Sequence, residues 1–434
     1  MRLPGVACGR RWAKDGGALA TRHDDGMIWR GGAYPKFDAY LAAPLQIHDL
    51  PIRPYRQVEL VEDGDDHIER LPDDQNVAEP GSILVGMLLP IGDTLLATPA
   101  LAALRRRFPR ARITVVSSRS NAGILRDNPS YDQLVVLDEV GPEHKWLRFV
   151  RRLSQLRHEK FDLAINLSPI SAIVTMMAGI YVRTLRVRMP ALWWLIGGHS
   201  ERYRARHAVD HYLHALAPIL DAPIPEEERQ PRLYLTARDR SAARRHLRAW
   251  GLSPAHLIVT MHVGGEGFNG RKQWAPERFS AVANGLIERY DAHVVLVGGP
   301  NDLPLCEEVA ARVPRNLVVA AGATSLKETA ALIEVSALFI GNDSCPLHIA
   351  AAVGTPAVGI FGPSNFEQFH PIGKSSYRQR IVHSDLPCAP CFNFIGNDAP
   401  WVPNTCYTRA CLKAIAPEDV LRAATDLLAG ERAD

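Results

Sequence analysis

The chain has 434 residues, 47% hydrophobic and 22% charged, with a formal net charge of +3 at pH 7. That length accommodates two domains and an appendage, and so small a charge, with no long basic run, gives no support for a nucleic-acid binder. Seven cysteines, an odd number, argue against a secreted disulfide framework. The start, Met1-Arg-Leu-Pro-Gly-Val-Ala-Cys, lacks an apolar signal core, and the longest apolar run, Ile173–Val182, is half a membrane span, so a cytoplasmic protein is expected.

Residues 1–80 differ from the rest. The first twenty-odd residues have the composition of a disordered extension, and Gln57–Glu79 carries nine carboxylates against one arginine. Tyr55-Arg-Gln-Val-Glu-Leu-Val alternates like a strand, which predicts one piece of a small β module outside the main domains.

From Ser82 the pattern becomes strand, turn, helix. Ile83–Leu89 reads as a buried parallel strand, Pro90-Ile-Gly-Asp93-Thr94 as its turn, and Leu95–Phe108 as a helix with cations at its C-terminal end. Pro99 either kinks that helix or starts a second segment behind a Thr98 cap. Strands follow at Arg112–Ser118, Leu134–Leu137 and Phe161–Leu167, with a basic helix around Leu147–Leu156. This alternation implies a doubly wound parallel sheet in a first domain over residues 81–225. Ile170–Arg206 holds Trp193-Trp194 and six arginines with one acid, Glu201. It reads as a core helix leading into a solvated basic segment, or as a surface facing an anionic acceptor or membrane headgroups.

A Pro-rich acidic connector, Pro218–Pro231, precedes a second domain over residues 232–416. Helices are expected near Arg238–Trp250 and over Pro276–Tyr290, Leu303–Val313 and Ser325–Val335, with strands at Leu257–Met261, His293–Val297, Leu317–Ala320, Ala337–Ile340 and Ala357–Phe361. Pro417–Leu428 is a final amphipathic helix within a C-terminal piece, 417–434. Between two strands, Gly341-Asn-Asp-Ser-Cys-Pro-Leu-His348 forms a polar turn entering a helix, with Ser344 as N-cap, Pro346 in the first turn and Leu347–Val353 helical up to Gly354. Such a helix N-terminus beyond a parallel strand suits a diphosphate, with Asp343 and His348 adding side-chain hydrogen bonds.

Three motifs in order, Gly92-Asp93-Thr94 with Thr98-Pro99-Ala-Leu, Lys272-Gln-Trp274 after a glycine-rich loop, and Gly341–His348, resemble glycosyltransferase family 9, the ADP-heptose heptosyltransferases of lipopolysaccharide assembly. The resemblance covers residues 81–425 and implies the GT-B fold, two Rossmann-like domains facing a cleft. It implies inverting transfer with Asp93 as general base, whereas the residues alone also allow Asp93 as a helix N-cap. Lys272 and the helix N-terminus at Ser344–Leu347 would hold the leaving diphosphate, Arg271 either assisting or solvated, and no metal or other cofactor is needed for the chemistry. Asp343, Ser344, Cys345, Pro346, Leu347 and His348 fall on the family's donor-phosphate loop, with Cys345 where the family has glycine, which narrows the loop. Asp302, after Gly298-Gly299-Pro300, is a candidate for the nucleotide ribose, and Leu326 for packing on the base. The partners implied are a nucleotide-sugar donor and a glycan, lipid-linked or protein acceptor, with peripheral contact at the inner membrane; no nucleic acid is among them. A hexosyltransferase, a sugar-nucleotide epimerase and a non-catalytic nucleotide-sugar binder are the alternatives.

Cys388-Ala-Pro-Cys391 with Cys406 and Cys411 predicts a tetrathiolate finger holding a structural zinc or iron, or else free thiols or a solitary disulfide. The finger resembles the iron-binding cysteines of some autotransporter-directed heptosyltransferases.

Overall fold

The computed structural model describes residues 55–61, 79–137, 156–168, 171, 175, 180–188, 206–220, 222, 224–265, 270–374, 378–391 and 408–430. The predicted helix around Leu147–Leu156, most of the basic segment to Arg206 and all of residues 1–54 lie outside them. Two parallel sheets of six strands each carry the described chain.

The first lobe contains β1 (Tyr55–Val61), β2 (Ser82–Met87), β3 (Arg112–Ser118), β4 (Gln133–Leu137), β5 (Lys160–Asn166) and β6 (Tyr181–Arg188), in the spatial order β1-β6-β5-β2-β3-β4. β2 is a central strand, and its consecutive Ile83, Leu84 and Val85, with Met87, are almost fully buried, so both faces of the sheet are covered there. Two expectations are corrected here. Tyr55–Val61 is a strand, but it pairs in parallel with β6 and completes the edge of this sheet instead of forming a separate module. Tyr181–Arg188, expected within a helical or solvated segment, is an internal strand between β5 and β1; its β-branched and aromatic residues favour extended backbone, a signal hidden by its arginines.

After β2 come α1 (Ile91–Leu96) and α2 (Thr98–Arg107), two segments instead of one kinked helix. Pro99 sits in the first turn of α2, and Thr98 Oγ1 donates to the Leu95 carbonyl at 2.7 Å. α3 (Ala122–Leu125) follows β3, and α4 (Ala208–His214) precedes the connector.

The second lobe has the strands β7 (Ile258–His262), β8 (His293–Leu296), β9 (Leu317–Val319), β10 (Leu338–Asn342), β11 (Ala357–Ile360) and β12 (Gln379–Val382), in the order β12-β11-β10-β7-β8-β9. Its helices are α5 (Ala237–Ala249), α6 (Pro276–Tyr290), α7 (Leu303–Ala310), α8 (Leu326–Glu334), α9 (Cys345–Val353), α10 (Phe366–Phe369), α11 (Ala410–Ala414) and α12 (Pro417–Gly430). The local sequence sets their ends. Thr236 with Asp239 and Ser325 with Glu328 form capping boxes on α5 and α8, and Gly354 ends α9 at φ +100°. On α6 the buried Phe279, Val282, Ala283, Leu286 and Ile287 repeat at helical spacing and face the sheet. α12 packs on α6 and β11, so it belongs to the second lobe.

In each sheet the winding reverses next to the first strand of its doubly wound set: between β2 and β5 in one lobe, between β7 and β10 in the other. The loops leaving those strands, Leu88–Asp93 and Val263–Gly265 with Asp343–Ser344, open at these switch points, where such sheets bind ligands. One apolar cluster runs from Leu95, Leu101 and Tyr212 in the first lobe to Leu347, Ile349 and Phe361 in the second, joining the lobes.

Candidate active site

Asp93 lies in the first turn of α1, whose N-cap is Pro90, so the carboxylate is not the cap. Its Oδ1 accepts a 2.7 Å hydrogen bond from the hydroxyl of Tyr212 on α4. The loop before it is held by its neighbours. Leu88 N–H donates to Ser171 Oγ at 2.9 Å, Ser168 Oγ to the Leu88 carbonyl at 3.0 Å, and Asn121 Nδ2 to the Leu89 carbonyl at 2.6 Å.

The opposite wall is the loop from β10 into α9. Lys272 Nζ donates to Asp343 Oδ2 at 2.7 Å and lies 5.7 Å from the centre of the Phe369 ring. Lys272 owes its place to Trp274: that indole is 1% exposed, its Nε1 donates to the Ile415 carbonyl, and its backbone N–H donates to Asn342 Oδ1 at 3.0 Å. Asn342 Nδ2 in turn holds the carbonyls of Val263 and Gly264, which ties the glycine loop to the lysine segment. Burial opposes ionisation of Asp343, but the charge of Lys272 and its hydrogen bond hold the carboxyl below the usual range. His348 is 4% exposed; burial brings its pKa down to about 4 despite Asp343, with Lys272 and His370 adding to the effect. It is therefore neutral at pH 7, and among the described residues its Nδ1 has no hydrogen-bond partner.

The walls meet. A methyl group built on Gly92 would stand 3.7 Å from Cys345 Cα and 3.8 Å from His348 Cδ2. Gly92, beside Asp93, thus packs on Cys345 and His348, which sets the start of α1 in the first lobe against the loop whose Asp343 pairs with Lys272. Burial, then the nearby Asp93 carboxylate, pushes the Cys345 thiol up to about 12.

Other expected residues take different parts. Ser344 occupies the N-cap of α9 without a capping hydrogen bond, because its hydroxyl pairs with His262 Nδ1 at 3.0 Å. Pro346 contributes no N–H, and Leu347 is a core residue whose N–H returns to the Ser344 carbonyl at 3.0 Å. Asp302, expected at the ribose, faces inward. It is 8% exposed, accepts from Gly299 N–H at 2.8 Å and lies 3.4 Å from His262 Nε2. Although burial opposes its charge, His262 and the amides of Gly299 and Gly265 keep its carboxyl below the usual range. It braces two glycine turns. Leu326, expected against a base, packs on Gly123 of the first lobe, where an added methyl would lie 3.0 Å from Leu326 Cδ2. Beside it Lys327 Nζ donates to the Arg126 carbonyl at 2.8 Å, to Asp127 Oδ2 at 2.7 Å and to the Tyr234 carbonyl.

The metal finger does not assemble among the described residues. Cys388 is exposed, Cys391 half-buried, and Cys411 lies in the apolar core of the second lobe, while Cys406 is outside the described residues. No group of three metal-ligating side chains comes together among them. Tyr212, His262 and Asn342 were not singled out in the sequence; Tyr212 stands 119 positions from Asp93, a separation no spacing pattern reveals.

The sequence model described as glycosyltransferase family 9 (heptosyltransferase) matches residues 149–397. The chain is also 30% identical over 290 residues to lipopolysaccharide heptosyltransferase 3 of Escherichia coli, covering 63% of this chain and 81% of that protein. The chain belongs to glycosyltransferase family 9. This family 9 glycosyltransferase is 25% identical over 343 residues to lipooligosaccharide heptosyltransferase 2 of Campylobacter jejuni subsp. jejuni, covering 78% and 95% of the two chains. Its fold matches the crystal structure of a family 9 glycosyl transferase from Veillonella parvula with a TM-score of 0.64 at 24% identity, over 81% of this chain and 97% of that one. It also matches ADP-heptose lipopolysaccharide heptosyltransferase II of E. coli with a TM-score of 0.61 at 22% identity, over 81% and 99%. The two-sheet GT-B architecture is thus that of the family. No helix among the described residues is long and apolar enough to cross a membrane.

Proposed function

We propose that this glycosyltransferase moves a heptose from ADP-heptose to a sugar hydroxyl of a lipopolysaccharide core, with inversion at the anomeric carbon. The observation that supports the reading is a contact between the lobes: Gly92, next to the Asp93 carboxylate, packs on Cys345 and His348 at the end of the loop where Lys272 pairs with Asp343. The heptose, the adenine nucleotide and the lipopolysaccharide acceptor come from the relatives' names.

Asp93 removes the proton from the acceptor hydroxyl as its oxygen attacks the anomeric carbon. The bond from that carbon to the diphosphate oxygen breaks, and the electron pair leaves with ADP. Lys272, oriented by Asp343, stands for the diphosphate together with the amides of Ser344 and Cys345, since Pro346 has no N–H and that of Leu347 is used internally. His348 Nδ1, buried and without a partner among the described residues, is a hydrogen-bonding atom that the donor satisfies. We place the enzyme at the cytoplasmic face of the inner membrane, where a lipid-anchored acceptor is presented.

The test is a transfer assay with ADP-heptose and a panel of truncated lipopolysaccharide acceptors, read by mass spectrometry with and without EDTA. The reading expects one heptose added per acceptor, undiminished by EDTA. Transfer from a UDP- or GDP-hexose only, or conversion of donor without acceptor, would contradict it.

A further inference from the structure

We infer that Tyr212 positions the catalytic carboxylate, fixing the plane of Asp93 through the 2.7 Å hydrogen bond its phenol donates to Oδ1. This rests on the proposed role of Asp93 as base.

The bonds from Ser168, Ser171 and Asn121 fix the backbone of Leu88 and Leu89, and with it the approach to Asp93. They do not fix its carboxylate, because rotation about the terminal bond of an aspartate has only broad, shallow minima. An acceptor hydroxyl is deprotonated efficiently only when the base oxygen lies within hydrogen-bonding reach and in line, so a constraint on the carboxylate plane has kinetic weight. Tyr212 supplies it. Its side chain is 2% exposed, so water does not compete for the bond. The same bond favours the charged carboxylate, the form that acts as base.

The helix carrying the phenol is itself fixed from the second lobe. His207, the N-cap of α4, accepts from Val209 N–H at Nδ1 and donates from Nε2 to the His370 carbonyl at 2.8 Å. Burial, with His370 adding, brings its pKa to about 3, so the ring is neutral and this tautomer is the consistent one. His211 Nε2 stands 3.4 Å from the Gln368 amide. The segment so gripped, Gln368–His370, also carries the Phe369 ring beside Lys272. One short helix thus relates the base of one lobe to the diphosphate lysine of the other, and Tyr212 is the residue that passes this geometry to Asp93.

The experiment is steady-state kinetics against pH for Tyr212→Phe and for protein carrying 3-fluorotyrosine at position 212, with Asp93→Asn as control. The groups near Asp93 include Tyr212 from α4 and Cys345 from α9, with His348 beside Gly92; the thiol titrates far above the acid limb. Tyr212→Phe keeps the ring and its packing. We expect kcat to fall about tenfold to a hundredfold, donor KM to stay within about twofold, and the acid limb of kcat to move up by about one pH unit. Fluorotyrosine, a more acidic phenol and a stronger donor, is expected to move that limb down, a shift in the opposite direction that a packing role or His348 would not produce. An unchanged limb in both proteins, with Asp93→Asn inert, overturns the positioning role and leaves the base assigned. Near-normal turnover by Asp93→Asn overturns the base itself.

Discussion

Lys272 Nζ lies 2.7 Å from Asp343 Oδ2, in an ion pair whose lysine side chain is 14% exposed and whose aspartate is 4% exposed. A pair this dry is costly to form and costlier to break, because removing one partner strands the other charge. Lys272→Met should therefore destabilise the protein by about 3 kcal/mol and lower kcat/KM by about two to three orders of magnitude. Adding Asp343→Asn should restore most of the stability and none of the activity. Urea unfolding and initial rates of the single and double variants separate the two effects.

Acid should weaken the fold before its carboxylates protonate. His207 and His348 are held neutral, at about 3 and about 4, against about 6.5 in an unfolded chain. Their folded values are depressed, so the unfolded chain binds more protons as pH falls below about 6.5, and stability is lost from there down to the folded values. Each histidine contributes up to about 1.4 kcal/mol per pH unit over its window. Unfolding free energies between pH 7 and 4.5 should fall steadily, with a shallower slope in His207→Asn; an equal slope in that variant would remove His207 from this account.

The lobes are pinned beside Leu326 as well as where Gly92 meets Cys345 and His348. Lys327 is 7% exposed and bonds the Arg126 and Tyr234 carbonyls together with Asp127. Lys327→Met leaves those carbonyls without their ammonium and should cost about 2 kcal/mol. Small-angle scattering should show a larger radius of gyration for the ligand-free variant, reversed by saturating ADP.

Thiol chemistry should distinguish the cysteines. Cys345 and Cys306 are pushed up to about 12, chiefly by burial, whereas Cys388 is exposed. Iodoacetamide at pH 8 should alkylate Cys388 at least about tenfold faster than either, as peptide mass mapping would show.

Much of this was legible before the structure. The strand–turn–helix alternation, the Pro276–Tyr290 helix and the loop at Gly341–His348 are set by local signals: apolar runs, a proline in a first turn, a glycine at φ +100°. The strand Tyr181–Arg188 escaped for a physical reason: its arginines mask a segment that pairing with β5 and β1 stabilises, and Tyr55–Val61, expected as a strand, was not expected to be its partner. Site roles divided along the same line. Asp93 and Lys272 sit in compact motifs that single them out in one dimension. The contacts of Asp302 with His262 and of Leu326 with Gly123 could not be read in one dimension, because those partners are far away in sequence. The cysteine spacing did not register that Cys411 belongs to the core beside Leu412 and Ile415.

The central claim is that Asp93 is the base for attack on a donor held by the other lobe. Single-turnover transfer by Asp93→Asn, set beside its ADP-heptose affinity from calorimetry, tests it most directly. The account predicts a transfer rate lower by at least about a thousandfold with donor affinity within about twofold of the unsubstituted protein. Transfer at more than about a tenth of the normal rate would contradict it.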